Sequence, residues 1–104
     1  SAANGNVGSF RSALSIYAGD HAGNYPARIE EFTAGGVYGA VPSLWDRRIE
    51  GPHAPNARVA IVARKQVADS GSWQLVRDPA RPREAELFID CTHTDDRGKA
   101  WNAY

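Results

Sequence analysis

An apolar stripe at the start of this chain constrains it more than any other feature. Ala3, Val7, Phe10, Leu14 and Tyr17 recur with 4-3-4-3 spacing, which lines them along one side of an α-helix. The stripe needs a cover, and only Ser1 and Ala2 stand before it. We expect a helix over residues 1–18, about 25 Å long at 1.5 Å per residue, stopped by Gly19 and Asp20. Gly5 and Gly8 weaken its first turns, so packing rather than propensity has to hold it. With no methionine in the chain, residue 1 reads as the product of leader removal or of a cut.

Downstream, residues 19–57 read as a helix-to-sheet loop region. Gly23 is free for positive φ, and Pro26 keeps Tyr25 extended. Residues 27–32 make a turn or two of helix with Ile29 and Phe32 inward. Residues 42–57 hold Pro42, Gly51, Pro52 and Pro55 and read as a long ordered loop, attached by Trp45 and Ile49. Loops of that length usually carry function or a partner. Three strands follow within 58–91: Val59, Ile61 and Ala63 share a face, then Trp73 and Leu75, then Leu87, Ile89 and Cys91 opposite Phe88. With Ser70-Gly71 read as a turn, the sheet is expected to be an antiparallel meander. Residues 92–104 form a C-terminal loop turning at Gly98, with Trp101 and Tyr104 as tie-downs. The fold class is α+β: one domain over 1–104, its amphipathic helix packed on a small three-stranded sheet.

The 12 basic and 12 acidic side chains cancel, which argues against nucleic acid or acidic lipid as a partner. Arg47-Arg48 and Arg81 with Arg83 therefore read as solvated or intersubunit ion pairs with the acids beside them. No run of 18 apolar residues is present, so this chain does not itself span a membrane. A single cysteine, Cys91, rules out an internal disulfide.

Three chemistries have candidate residues in the chain. Cys91 and His93 at i, i+2 would suit a small thiol hydrolase, but no Asp or Asn is evidently placed to orient the imidazole; a buried structural thiol is the commoner reading. Zinc held by Cys91, His93, His21 and His53 needs ligands from three loops, with no C-x-x-C or H-x-x-x-H pair to seed it. Asp90, Thr92, Asp95 and Asp96, closed by Gly98, offer oxygen ligands for calcium, although Asp residues in turns more often form local hydrogen bonds. We expect no enzyme activity and no cofactor, with a structural calcium as the preferred metal candidate.

The order of SALSIYAGD (12–20), GNYP (23–26), IEEFTAGGVYGAVP (29–42), Gly71 with Trp73, and LFIDCTHTDDRGKAW (87–101) resembles type IV pilins and the major pseudopilins of type II secretion. The resemblance touches about two thirds of the chain. It implies an exported structural subunit of a pilus-like or pseudopilus filament, in the periplasm and on the extracellular filament surface, serving protein secretion. It also adds weight to calcium in the C-terminal loop. Family members begin with an apolar anchor on the order of 20 residues, which is missing here. Either that anchor was cut away, or the pilin is split and a short hydrophobic helix on another chain supplies it. Ser1-Ala2-Ala3 looks like a signal-peptidase product and favours the split, a heterodimer. Val7, Phe10, Leu14 and Tyr17 then have two candidate duties: the domain's own sheet or the partner helix. Trp45, Arg47, Arg48 and Ile49 would touch neighbouring subunits. A minor tip module binding cargo through Trp45, Tyr38 and Trp101 is the alternative.

Overall fold

The computed structural model describes residues 2–45, 53–95 and 97–104, with side chains from Val7 onward. Helix α1 spans Ala2–Asp20 and a short α2 spans Ile29–Thr33, continued by a 3-10 turn over Ala34–Gly36. Strands β1 (Val59–Val62), β2 (Trp73–Val76) and β3 (Glu86–Ile89) follow, and a 3-10 turn over Trp101–Ala103 closes the order.

The stripe on α1 is spent inside the domain. Val7, Phe10, Leu14 and Tyr17 are all buried in one core with Trp73, Leu75, Leu87 and Ile89. Phe10 meets Trp73 edge-on at 5.0 Å between ring centroids, and Phe32 at 5.5 Å, spacings at which the ring quadrupoles attract. The expected partner-helix interface is thereby corrected: these four side chains face the domain's own sheet and are not open to another helix.

The helix also runs past Gly19. Its stop is Ala22-Gly23, with φ of 58° and 88°, where the Gly23 N–H donates to Ala18 O at 2.7 Å. Left-handed residues at this point turn the last free carbonyls inward. The GNYP element then docks on the far loop: the Tyr25 N–H donates to Pro82 O at 2.8 Å, and Arg77 Nε donates to Tyr25 O at 2.9 Å. Glu31 reaches back from α2 to accept from the N–H groups of Ala27 and Arg28, both at 2.9 Å.

The sheet is mixed rather than an antiparallel meander. β2 and β3 are antiparallel, with Trp73 opposite Ile89 and Leu75 opposite Leu87, but β1 runs parallel to β2. Residues 63–72 are therefore a crossover, not a tight turn. Parallel neighbours usually need a helix to make that return. Here two buried polar side chains replace it. Gln74 accepts from the Gln66 N–H at 2.8 Å and donates to Gln66 O at 2.6 Å. Asp90 accepts from the N–H groups of Ala68, Asp69 and Ser70 and from the Ser70 hydroxyl, all within 3.1 Å. Phe88, on the same face as Gln74, is covered by Lys65, whose ammonium sits 4.5 Å from the ring centroid.

Burial alone would raise the Asp90 carboxyl pKa, but the hydrogen bonds from Ser70, Ala68 and Asp69 outweigh it and hold the group below its ordinary range. A depressed carboxyl contributes stability that is complete above its unfolded value of about 3.9 and is lost as pH falls through the folded value. Asp90→Asn should therefore cost about 2–3 kcal/mol near neutral pH, because four hydrogen bonds lose their ionised acceptor. In denaturant titrations the gap between variant and wild type should close below pH 4. Phe10→Ala should cost about 3–5 kcal/mol, read as a fall in Tm of more than 10 °C in a domain of this size.

Candidate functional site

The segments around the sheet converge at the end of β3. β3 delivers Cys91 into the core, fully buried, and the next turn carries His93. The tail then folds back as a hairpin at Gly98: Asp95 N–H donates to Lys99 O at 2.8 Å, Trp101 N–H to His93 O at 3.1 Å, and Asn102 N–H to Cys91 O at 3.0 Å. Asp69 arrives from the crossover in a left-handed conformation, φ 54°, with its carboxylate accepting from the Thr92 N–H at 2.9 Å. His53 comes from the end of the long loop, whose base is pinned by two hydrogen bonds between Leu44 and Asn56 at 2.7 and 3.1 Å.

These four side chains meet. Cys91 Sγ lies 3.5 Å from His93 Nδ1. Asp69 Oδ1 lies 3.4 Å from the same His93 Nδ1 and 3.2 Å from His53 Nε2. One donor atom from each of the four falls within 4.8 Å of the others. Gly71 makes room for His53: at φ +76°, a Cβ there would stand 2.3 Å from His53 Cγ. The Gly71 carbonyl is held by Trp45 Nε1 at 2.8 Å and Asn56 Nδ2 at 3.2 Å. Trp45 and Trp101, edge to face at 5.5 Å, wall the cluster on the His53 side.

Asp69 is held below the ordinary carboxylate range, first by the Thr92 N–H and then by the two histidines. Burial pushes the Cys91 thiol up; the His93 backbone N–H opposes this, and the Asp69 and Asp90 charges add to it. A raised, buried thiol is a poor nucleophile. Asp69 is the orienting carboxylate that the sequence hid, yet the arrangement is no relay. In a nucleophile–base–acid relay the imidazole uses one nitrogen for each neighbour, whereas here sulfur and carboxylate both approach His93 Nδ1.

The remaining sequence candidates lie apart. His21 stacks on Tyr17 at 3.8 Å with Nδ1 2.7 Å from Tyr17 O, remote in role from the other two histidines. Asp90 caps the crossover, and Asp95 accepts from the N–H groups of Arg97 and Lys99 at 2.9 Å and from the Tyr104 hydroxyl. Two of the three carboxylates of the calcium candidate are thus engaged in loop hydrogen bonds, Thr92 gives its N–H to Asp69, and Asp96, the third, lies outside the described residues. Arg47, Arg48 and Ile49 of the intersubunit loop also lie outside them, and Trp45 points inward. The aromatic patch of the tip-module reading is divided: Tyr38 stacks on Phe32 at 5.9 Å, away from the Trp45–Trp101 pair. Arg81 pairs with Glu84 at 3.8 Å on the surface.

The chain matches no family model, no curated protein and no solved structure. Among the described residues no helix is long and apolar enough to cross a membrane. The burial of Cys91 sets a direct test: in metal-free buffer, iodoacetamide should label native protein at least 100-fold more slowly than protein in denaturant, as its reaction needs an accessible thiolate.

Proposed function

We propose that this chain is a structural subunit of a type IV pilus-like or pseudopilus filament, exported and serving protein secretion, and seated on a hydrophobic helix supplied by another chain. The outer face of α1 carries this reading. Gly8, Ser12, Ser15 and Gly19 follow one another at 4-3-4 spacing, opposite the buried stripe, and all are exposed. A Cβ added at Gly8 or Gly19 would meet nothing within 4 Å. Beside them Ile16 is 61% exposed. Solvent faces of helices ordinarily carry charge, yet Arg11 is the only charged residue between Ala2 and Gly19. Small residues let two helix axes approach closely, and an isolated isoleucine supplies a knob for the facing groove.

The element order supports the same reading: a long N-terminal helix, a GNYP turn, a small sheet and a cysteine-bearing C-terminal loop, as the sequence resemblance implies. The parallel β1 departs from the antiparallel sheet expected of that family-like plan.

A photo-cross-linking residue at Ser12 should capture a short hydrophobic pilin-type helix in cells, while one at the exposed Arg64, in the crossover after β1, should not. Ser12→Arg should leave Tm within a few degrees, as surface changes do. It should cut recovery in the sheared filament fraction at least tenfold, equivalent to about 1.4 kcal/mol of docking. Absence of the chain from that fraction, or normal entry of the Ser12→Arg variant, defeats the reading.

A further inference from the structure

We propose that His53, Asp69, Cys91 and His93 form a four-ligand site for zinc, a structural clamp that fastens the long loop and the crossover to the end of β3. The inference stands on the geometry of these side chains and does not depend on the filament reading.

Convergence is the first argument. The Cys91 sulfur and an Asp69 carboxylate oxygen both crowd His93 Nδ1, and His53 Nε2 shares that same carboxylate oxygen. Sulfur, nitrogen and oxygen atoms gather this closely only when protons or a cation sit between them, and all four are atoms that ligate zinc.

The dimensions are the second argument. A tetrahedral zinc with bonds of about 2.0–2.3 Å separates neighbouring N and O ligands by roughly 3.4 Å and N and S ligands by roughly 3.6 Å. Three edges of the cluster measure 3.2 and 3.4 Å for nitrogen to oxygen and 3.5 Å for sulfur to nitrogen. Closing the polyhedron from the 4.8 Å envelope takes rotamer adjustments of less than 2 Å. The donor set is the third: mixed S, N and O ligands at tetrahedral spacing select zinc over calcium or magnesium, which want oxygen.

The surroundings hold the ligands in place, as outer partners of metal sites do. Thr92 N–H fixes the Asp69 carboxylate, the Asp69 N–H is itself anchored on Asp90, and Gly71 leaves the space His53 fills. With four protein ligands the site is closed, so the metal staples rather than catalyses. Binding converts the Cys91 thiol to a thiolate and releases its proton to solvent.

The test uses the full chain, reduced and stripped with chelator. Native mass spectrometry should show one zinc per chain at micromolar free zinc, with a rise in Tm that chelator reverses. Cobalt in its place should give tetrahedral d–d bands together with a thiolate-to-metal charge-transfer band. His93→Ala, on the half-exposed ligand, should keep the circular dichroism of the wild type and lose about 100-fold in affinity. Gly71→Ala, which touches no metal, should lose 10- to 100-fold by displacing His53, and His21→Ala should lose nothing. No zinc uptake, a cobalt spectrum without the thiolate band, or His93→Ala binding like wild type would each overturn the assignment.

Discussion

The Asp90 carboxylate governs this fold. It lies buried at the end of β3 and gathers the N–H groups of three consecutive crossover residues and one hydroxyl. Its own backbone is doubly tied across the sheet end, the N–H to Ser72 O and the carbonyl to the Gly71 N–H. A crossover without a helix leaves many backbone groups in need of partners; one ionised side chain satisfies those nearest the core. Because the crossover is fixed, β1 pairs parallel to β2, Gly71 takes its left-handed turn, and Asp69 comes to rest beside two histidines.

The two faces of α1 divide labour. The inner face closes the core through rings that meet edge to face, and its burial is what holds a helix opened by glycines. The outer face is small, uncharged and open apart from Ile16. The inner face serves the domain's own sheet, and in the proposed filament the outer face would meet a neighbouring helix. Beyond the end of β3, the Cys–His–Asp cluster joins the long loop, the crossover and the C-terminal loop, adding to the bridges of Leu44 with Asn56 and Thr94 with Ala100.

Much of the architecture was legible from periodicity. The 3.6-residue stripe predicted α1 and its buried face, and alternation placed Trp73, Leu75, Leu87 and Ile89 on the inner side of the sheet with Phe88 opposite. Strand direction was not legible. Ser70-Gly71 looks like a hairpin turn in sequence, and only the side chains of Gln74 and Asp90, which act on residues 8 to 22 positions away, turn it into the end of a crossover. Three of the four cluster residues were legible: His53, Cys91 and His93 stand beside His21 as metal-ligating residue types, whereas Asp69 does not stand out. The one signal for it was a lone acid just before Ser-Gly, which reads first as a turn former.

What the sequence determined by itself, then, was which residues go inside and which segments curl or extend, because those depend on near neighbours along the chain and on the water around it. The tertiary structure alone decided the parallel pairing, the internal use of the helix stripe, and the meeting of four donor side chains from three loops. These depend on hydrogen bonds and steric fits between segments far apart in sequence, such as His53 against Gly71, and no local pattern records such distances.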